Sequence, residues 1–571
     1  MNPQAAPPPD GEGRPVTVGG SRQFQVGDHN TQVNASLDPA SVPPPQVPGV
    51  DGGVVHNLPA ASAVFEGRNL GELAALLGAT DAGVVVGQAA VHGLGGIGKS
   101  ELANQYARAY MDRYRLVWWI TAENRQAVGL GLAALTARLH PVATLADAQV
   151  WAVGWLQSHP GWLLVLDNVE DAADVADLLG QVTGRGHVVV TTRRDLGARW
   201  RTLGLRALRL EVLDRAASVR LLGDLTGLDD AAGAGRLAHR LGDLPLGLQQ
   251  AAAYISQHEG MSFDDYTTLL AEEFDRAAGD AGEGDGRQRT VAAVWTLTMD
   301  AITSRKPLAG TIFEVLAWLG ADPLPESVLY PLADNRRDVD DALSTLASYS
   351  MLKRGAGAVT VHRLVQAVTR SRAADLGHGD QARETAIQLL TDTAPDDPIN
   401  NVAGFPLWAA LLPHVQALAE HLPADHDSTT MLYLQDRAAT YQQYQGNFGP
   451  AITVFERVLA DRERLLGPEH PDTLNARANL AASYRQADRT TDAITIQEQV
   501  LADRERLLGP EHPDTLIARA NLAYSYQQAG RTTDAITSFE LVLADFERLL
   551  GPEHPNTRAV KRALKALTAD G

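Results

Sequence analysis

An apolar stretch that runs into a glycine-rich loop and then into a helix constrains the fold of this sequence more than any other feature. Residues 84–92 are largely apolar, and residues 101–110 follow the loop with helical spacing. A strand, a G-x-x-x-x-G-K-[ST] loop and a helix in this order predict an α/β fold around a bound phosphate chain. The candidate phosphate-binding residues of the loop are Gly93, Gly95, Gly96, Gly98, Lys99 and Ser100.

Each residue type in this loop has a physical role. Glycines let successive backbone N–H groups turn toward a phosphate chain, and the N-terminus of the helix adds a partial positive charge. We expect Lys99 to neutralise the β- and γ-phosphates and Ser100 to ligate Mg²⁺. Lys99 is also the only lysine before Lys306. The predicted cofactors are ATP or ADP together with Mg²⁺.

Further apolar segments, separated by helical ones, continue this pattern. The candidate strands are 84–91, 115–121, 162–167, 187–192 and 206–212. Near-continuous apolar strands that alternate with helices predict a parallel sheet with both faces covered.

Two side chains at the ends of these strands extend the candidate site. Asp167 ends its strand as a Walker B acid does, where it would hold Mg²⁺ opposite Ser100. The alternative is a strand that ends at an aspartate turn. Arg193 follows its strand at the edge where α/β sheets bind ligands, and it is a candidate sensor of the γ-phosphate. A solvated strand end explains Arg193 equally well. The predicted catalytic residues are Lys99, Asp167 and Arg193, and the predicted metal ligands are Ser100 and Asp167.

Composition divides the chain into six parts. Residues 1–20 and 38–60 are rich in Pro, Gly and Ala, which predicts disorder. A short hairpin at 351–362 that follows helical segments is typical of a winged helix. The predicted divisions are a disordered region at 1–60 with a motif at 22–37, a P-loop NTPase domain at 61–213, a helical subdomain at 214–287, a winged-helix subdomain at 288–375, a helical linker at 376–427 and repeats at 428–571.

The last quarter of the chain repeats itself every 42 residues. The segment Leu-Gly-Pro-Glu-His-Pro occurs at Leu466–Pro471, Leu508–Pro513 and Leu550–Pro555. Each unit resembles two amphipathic helices that bury their faces only against neighbouring units, so the array predicts an all-α solenoid. We assign the histidine of each copy to turn geometry rather than to a metal site, because no second imidazole lies beside it in the sequence.

The segment at 22–34 differs in composition from the regions on either side. Phe24 and Val26 alternate with glutamines, a polar turn covers 27–30, and a second polar arm follows. Two such arms can stack as a cross-β arch with ladders of Gln and Asn along the stack. A disordered tail with a chance alternation is the alternative.

Charge and cysteine content restrict the partners. The 571 residues carry a formal net charge of −20, which argues against general affinity for nucleic acid or acidic membranes. Cysteine is absent, so disulfides and thiolate metal sites are excluded and a cytoplasmic location is favoured. No apolar run approaches the ~20 residues of a membrane span. We expect a cytoplasmic protein with no membrane partner.

The order of the motifs resembles the NB-ARC class of STAND signalling ATPases. The glycine-rich loop and Asp167 are followed by Val190–Arg193, Leu241–Leu248 and Val361–Val365, and Phe65–Arg68 precedes them. The resemblance covers about residues 64–372. It implies an α/β P-loop core followed by helical and winged-helix subdomains.

The resemblance also implies roles for individual residues. Arg193 would read the γ-phosphate and Pro245 would pack near adenine. His362 would contact the β-phosphate of ADP and hold the winged helix closed. Many members carry a second acid after the Walker B aspartate, where this chain has Asn168. An amide cannot take a proton from water, so we expect a weak ATPase whose slow turnover suits a switch.

The two ends of the chain resemble known modules. The array at 428–571 looks like tetratricopeptide repeats of the kinesin-light-chain type, which bind peptides or proteins in a concave groove. Residues 24–33 are similar to the RHIM-like amyloid signalling motifs that precede some bacterial NB-ARC proteins. Together they imply a switch that senses a ligand on its repeats, exchanges ADP for ATP, forms a homo-oligomer and recruits a separate cell-death or defence effector through residues 22–37. Two alternatives stay open: a transcriptional regulator that places its winged helix on DNA, and a ligand-independent ATP hydrolase.

Overall fold

The computed structural model describes residues 54–569 except 63, 79–86, 94, 141–147, 183, 195–199, 201, 278–285, 400 and 424–427, and before them residues 23–24, 31–32, 40 and 42. Within the predicted N-terminal motif, strand β1 (Gln23–Phe24) pairs antiparallel with β2 (Thr31–Gln32). The remainder of the motif at 22–37 lies outside the described residues.

A parallel sheet forms the centre of the N-terminal half, as predicted, and in the described residues it has six strands rather than the five expected. Its strands lie in the order β3-β5-β6-β7-β4-β8. The strand that precedes the glycine-rich loop and the strand that ends at Asp167 are therefore separated by one strand, β7. Their bounds are β3 (Val55–His56), β4 (Gly87–His92), β5 (Leu116–Thr121), β6 (Trp162–Asp167), β7 (His187–Thr192) and β8 (Arg206–Arg209).

Helices cover both faces of this sheet because its strands are apolar on both sides. In β6, Leu163 and Val165 belong to one buried cluster, and Leu164 and Leu166 belong to the other. This burial on both faces is what the continuous apolar run predicts. The helices are α1 (Leu70–Leu76), α2 (Lys99–Ala109), α3 (Arg125–Leu139), α4 (Ala148–Ser158) and α5 (Ala172–Gln181).

Two predictions about this region need correction. The strand predicted at 206–212 ends at Arg209. The strand predicted at 84–91 is described from Gly87 to His92, and its first three residues lie outside the described residues. Residues 54–60 were predicted to be disordered, yet they contain β3 and lie against the core. Asn57 accounts for this difference: its amide nitrogen donates to the carbonyl oxygen of Trp119 at 2.8 Å, and its amide oxygen accepts from the Trp119 N–H at 2.6 Å. The Pro/Gly-rich composition of residues 38–60 gave no indication of this edge strand.

A second, helical layer follows the sheet. Its helices are α6 (Arg215–Thr226), α7 (Ala231–Arg240), α8 (Pro245–Ser256), α9 (Phe263–Ala277), α10 (Gly286–Arg305), α11 (Pro307–Leu316), α12 (Arg336–Ser348) and α13 (Arg363–Asp375). A three-stranded antiparallel sheet lies among the last of them, in the order β10-β11-β9. It is formed by β9 (Leu324–Pro325), β10 (Lys353–Gly355) and β11 (Ala358–Thr360).

The hairpin between β10 and β11 is the one that the sequence predicts. Ala356 and Gly357 form its two-residue turn, with φ of 53° and 74°. Two consecutive positive φ values match the right-handed twist of a tight hairpin. Arg354 fixes the hairpin to the helices through Glu326, at 2.6 Å, and Asp340, at 2.8 Å.

Two further helices, α14 (Gly379–Thr393) and α15 (Phe405–His421), connect this layer to the repeats. In the described part of the chain, the segment Val402–His421 is the one stretch long and apolar enough, by length and composition, to cross a membrane. Trp408, Leu411 and Leu418 are instead buried in the same cluster as the neighbouring helices, so we assign this segment to the core.

Seven helices form the predicted solenoid at the C-terminal end. They are α16 (Thr429–Tyr444), α17 (Phe448–Leu466), α18 (Pro471–Gln486), α19 (Thr490–Leu508), α20 (Pro513–Gln528), α21 (Thr532–Leu549) and α22 (Pro555–Ala569). His470, His512 and His554 precede three of these helices, and in each the Nδ1 atom accepts a hydrogen bond of 3.2 Å from the N–H two residues later. These histidines cap helices, as their assignment to turn geometry anticipated.

Candidate functional site

The glycine-rich loop connects β4 to α2 with a backbone that only glycine adopts easily. Gly93, Gly96 and Gly98 have φ of 147°, 75° and 92°. A Cβ atom on Gly93 would lie 2.5 Å from the carbonyl oxygen of Leu210, so this position has no room for a side chain. Helix α2 begins at Lys99 directly after the loop. A helix N-terminus behind a glycine turn is a preformed site for a phosphate group.

Lys99 is held inside this loop. Its ammonium group donates a hydrogen bond of 2.9 Å to the carbonyl oxygen of Gly93, and the side chain is buried. Burial, together with the charge of Arg193, lowers the pKa of Lys99 to about 8, while Asp167 and Glu170 act in the opposite direction. A cation enclosed beside a second cation is suited to an anionic ligand.

Asp167 lies across the loop from the start of α2. Its carboxylate accepts a 2.5 Å hydrogen bond from the Thr191 hydroxyl and another hydrogen bond from Ser100. Burial raises the pKa of Asp167, and these hydrogen bonds and Lys99 oppose the rise. A carboxylate in contact with a hydroxyl supplies the oxygen ligands that Mg²⁺ prefers, and Mg²⁺ usually completes its shell with water and phosphate. The pair Ser100 and Asp167 therefore fits this ion.

The residue after Asp167 contributes no acid. Asn168 has a φ of 60°, and its N–H donates to the Thr191 hydroxyl at 2.8 Å. The next acid along the chain after Asp167 is Glu170. Its carboxylate pairs with the Arg194 guanidinium at 3.7 Å, and its charge acts on the pKa of Lys99. The candidate phosphate and metal ligands are therefore not accompanied by a carboxylate at the position next to Asp167.

His362, distant in sequence, faces the same space. Burial and the charges of Arg193, Lys353 and Lys99 lower its pKa to about 4, so the imidazole is neutral near pH 7. The residue nevertheless keeps accessible surface. It lies within electrostatic reach of Lys99 and Arg193. The structure brings these three sequence-predicted residues together.

Two leucines cover the loop from the helical layer. Leu364, two residues after His362, packs against Gly95, where a Cβ atom would lie 3.2 Å from its methyl group. Leu246 packs in the same way against Gly96, at 3.6 Å. Pro245 is the first residue of α8 and immediately precedes Leu246, so the start of this helix lies beside the loop.

Three polar contacts join residues of the predicted winged-helix subdomain (288–375) to the core, and the sequence predicted none of them. The Thr121 hydroxyl donates to Asp322 at 2.7 Å, Arg363 pairs with Glu123, and Lys353 pairs with Glu101 at 2.8 Å. Thr121 is the strand partner of Asp167, so Asp322 reaches the edge of the sheet at which Asp167 lies. Burial and the charge of Asp167 raise the pKa of Asp322.

The short motif Phe65–Arg68 also contacts the loop. The Arg68 guanidinium donates to the carbonyl oxygen of Ile97 at 2.8 Å, and Glu66 pairs with Arg220 on α6 at 3.4 Å. This motif therefore connects the phosphate-binding loop to the helical layer. The sequence indicated this motif by its position before the glycine-rich loop, whereas its contacts are seen only in the folded chain.

Comparison with known proteins supports the repeats directly. The tetratricopeptide repeat family model matches residues 428–505 and 479–544. A crystal structure of a kinesin light chain with nearly identical TPR-like repeats, from Podosopora anserina, is 26% identical, covering 35% of this chain and 81% of that one, with a TM-score of 0.24.

Two other relatives span more of the molecule. A nucleotide-binding leucine-rich repeat (NLR)-like protein of Hyaloscypha variabilis is 25% identical over 431 residues, or 68% of this chain. This chain spans 42% of that relative's length. A Signal Transduction ATPase with Numerous Domains (STAND) protein with a tetratricopeptide repeat sensor, from Pyrococcus horikoshii, is 13% identical and covers 89% of this chain and 86% of its own, with a TM-score of 0.36. The chain joins a parallel-sheet core that carries a glycine-rich loop to a C-terminal region that matches tetratricopeptide repeats.

Proposed function

We propose that this chain is a nucleotide-controlled signalling switch of the STAND type. ADP holds the P-loop core and the winged helix together, a ligand on the repeats favours exchange for ATP, and the opened molecule oligomerises. One observation carries the proposal: residues of the winged-helix region, His362 and Leu364, close over the loop that contains Lys99. The NLR-like relative supports the signalling role.

A site shared by two domains allows the nucleotide to control their arrangement. A ligand shifts a conformational equilibrium only through a difference in its affinity for the two states. In this proposal His362 contacts the β-phosphate of ADP and Arg193 reads the γ-phosphate, so the diphosphate and the triphosphate make different contacts with the core and the winged helix. Ligand binding to the repeats then acts by lowering the stability of the closed state relative to the open one.

The residues around Asp167 favour slow hydrolysis. Asn168 cannot accept a proton from the attacking water, and the Glu170 carboxylate already pairs with Arg194. A ligand-independent ATP hydrolase is the alternative, and steady turnover well above roughly one per minute without ligand would favour it, since unassisted switch NTPases are slower.

The arginines of the winged-helix region already have intramolecular partners, which argues against the DNA-binding alternative. On α13, Arg363 pairs with Glu123, Arg370 donates to the carbonyl oxygen of Ala317, and Arg372 pairs with Asp300. A DNA backbone would have to compete with each of these intramolecular partners.

We predict that ADP binding weakens above pH 8. The pKa of Lys99 in the free protein is about 8, so at higher pH the ammonium group loses its proton and ADP binding must restore it. The charged groups that face Lys99 are Arg193, Asp167 and Glu170. Affinity should fall about fivefold between pH 8 and 9, and calorimetry in two buffers should detect proton uptake. Constant affinity over this range would contradict the role of Lys99, and no uptake of ADP or ATP at all would overturn the switch.

We further propose that residues 22–37 are the output of the switch, a RHIM-like amyloid motif that templates the same motif on a separate cell-death or defence effector. The antiparallel pairing of Gln23–Phe24 with Thr31–Gln32 supports a segment with strand-forming arms. Bringing several copies together in an oligomer raises their local concentration to the point where a β-stack can nucleate.

A peptide that spans residues 21–37 should form thioflavin-positive fibrils. Gln25→Asp should prevent this, because stacked carboxylates repel each other along the fibril axis, and Gly27→Pro should prevent it by removing a backbone donor. Fibril formation is followed by thioflavin fluorescence and electron microscopy. A wild-type peptide that stays monomeric at high concentration would remove the amyloid proposal and leave the nucleotide switch intact.

A further inference from the structure

One acidic residue of the predicted winged-helix subdomain reaches the edge of the sheet at which Asp167 lies. The Thr121 hydroxyl donates to one carboxylate oxygen of Asp322 at 2.7 Å. Within the described part of the chain, the other oxygen of Asp322 accepts no hydrogen bond and the residue forms no ion pair. Asp322 therefore brings a negative charge from a distant segment to the candidate nucleotide site, and the fold supplies no cation to pair with it there.

The oxygen atoms around Asp322 come from neighbouring strands. Thr121 on β5 is paired in register with Asp167 on β6, and Thr191 on β7 donates to Asp167 at 2.5 Å. Neighbouring strands lie about 5 Å apart, and Asp322 is one hydrogen bond beyond Thr121. The charge of Asp167 accordingly acts on Asp322. Two carboxylates that approach each other in a partly buried place favour a cation beside them.

The turn that carries Asp322 is fixed to helix α13. The side-chain amide of Gln366 on this helix donates to the carbonyl oxygens of Leu316 and Leu319, at 3.0 Å and 2.9 Å. The same helix begins directly after His362. Asp322 and His362 are thus positioned by one part of the winged-helix region, and a movement of that part away from the core would remove both.

We propose that Asp322 is a positioning residue for the divalent cation of the Ser100 and Asp167 pair, and that it contributes its charge only while the winged-helix region lies against the core. Mg²⁺ usually keeps several waters when it binds carboxylates and phosphates. A nearby carboxylate that is not itself a ligand orients such groups and raises the affinity for the ion. By linkage, the cation then favours the closed form. The inference rests on the proposed nucleotide switch and adds a divalent cation to what holds it closed.

The test compares the full-length protein with Asp322→Asn. Asparagine has nearly the same shape and keeps an oxygen that can accept the Thr121 hydrogen bond, so the variant removes the charge and little else. Asp334→Asn is the matched control, because it removes the same charge from an exposed site in the same predicted subdomain. Each protein is loaded with ADP and freed of excess nucleotide, and its affinity for Mn²⁺ is measured by electron paramagnetic resonance. ADP affinity is measured separately by calorimetry in EDTA.

We expect Asp322→Asn to bind Mn²⁺ about tenfold more weakly than the wild type and the Asp334→Asn control do. In EDTA the same variant should bind ADP at least as tightly as the wild type, because an anionic ligand does not lose affinity when a negative charge near its site is removed. A purely structural role would instead weaken ADP binding in EDTA as well. Mn²⁺ should also slow hydrogen exchange of residues 320–325 in the wild type and not in Asp322→Asn.

Two results would overturn the role of Asp322. One is equal affinity of Asp322→Asn and Asp334→Asn for Mn²⁺, and the other is a loss of ADP affinity by Asp322→Asn in EDTA. Either result, obtained while the wild type binds ADP normally, leaves the nucleotide switch standing. A wild-type protein that binds no ADP would overturn the switch and the role of Asp322 together.

Discussion

Lys99→Ala should lower the affinity for ADP and ATP at least about a hundredfold, because the variant loses a cation that contacts the phosphates through charge-assisted hydrogen bonds. A second effect adds to this loss. The Lys99 ammonium group holds the carbonyl oxygen of Gly93 at 2.9 Å, so the empty loop also loses part of its preorganisation. Calorimetry measures the affinity, and the rise in unfolding temperature that ADP confers should disappear.

Lys561→Ala serves as the control for this prediction. Lys561 is an exposed lysine of the repeat array whose partner is Glu547, at 3.4 Å, far in sequence from the loop. The control should bind ADP as the wild type does. Signalling by Lys99→Ala at the wild-type level would mean that nucleotide binding does not drive the response, and the switch would have to be abandoned.

Arg363→Glu should shift the molecule toward an open, oligomeric form. Arg363 joins the start of α13 to Glu123 beyond β5, and Glu420 on α15 is also within electrostatic reach. The substitution places three carboxylates together in a partly buried interface. Breaking such a pair costs about 2–3 kcal/mol, which is roughly a hundredfold change in the equilibrium between closed and open forms. Light scattering detects the oligomer, and hydrogen exchange should rise at the N-terminus of α13.

The charge-swapped pair Glu123→Arg with Arg363→Glu is the matched control. It restores opposite charges across the interface without restoring either original residue. We expect the swap to recover a closed monomer that retains ADP. If Arg363→Glu alone stays monomeric and protected, or if the swap is as open as the single variant, this contact does not hold the winged helix in place.

How far the sequence predicted the site depends on the kind of residue. The glycine turn between β4 and α2 was predictable because its structure is local: the backbone turn and the helix N-terminus lie within one short segment. Asp167 and Arg193 were predictable in part, since strands of a parallel sheet end at a common edge. His362 gained a role only through family resemblance.

The contacts between domains could not be predicted in the same way. Thr121 and Asp322 are separated by 201 residues, and neither belongs to a recognisable motif. Ordinary polar residues occur throughout any surface, so nothing in the sequence distinguishes a pair that will meet. The edge strand at Val55–His56 was missed for a related reason. A strand of two residues is too short to show periodicity in the sequence, and it forms because it pairs with β5.

The sequence alone determined the elements whose physics is local or periodic. These are the phosphate-binding loop, the buried strands behind it and the repeats with their 42-residue period. Tertiary structure decided everything that depends on distant segments meeting, above all the packing of Leu364 against the loop and the nearness of His362 to Lys99. The residue type fixes the charge of a side chain, whereas tertiary packing decides which groups lie near that charge.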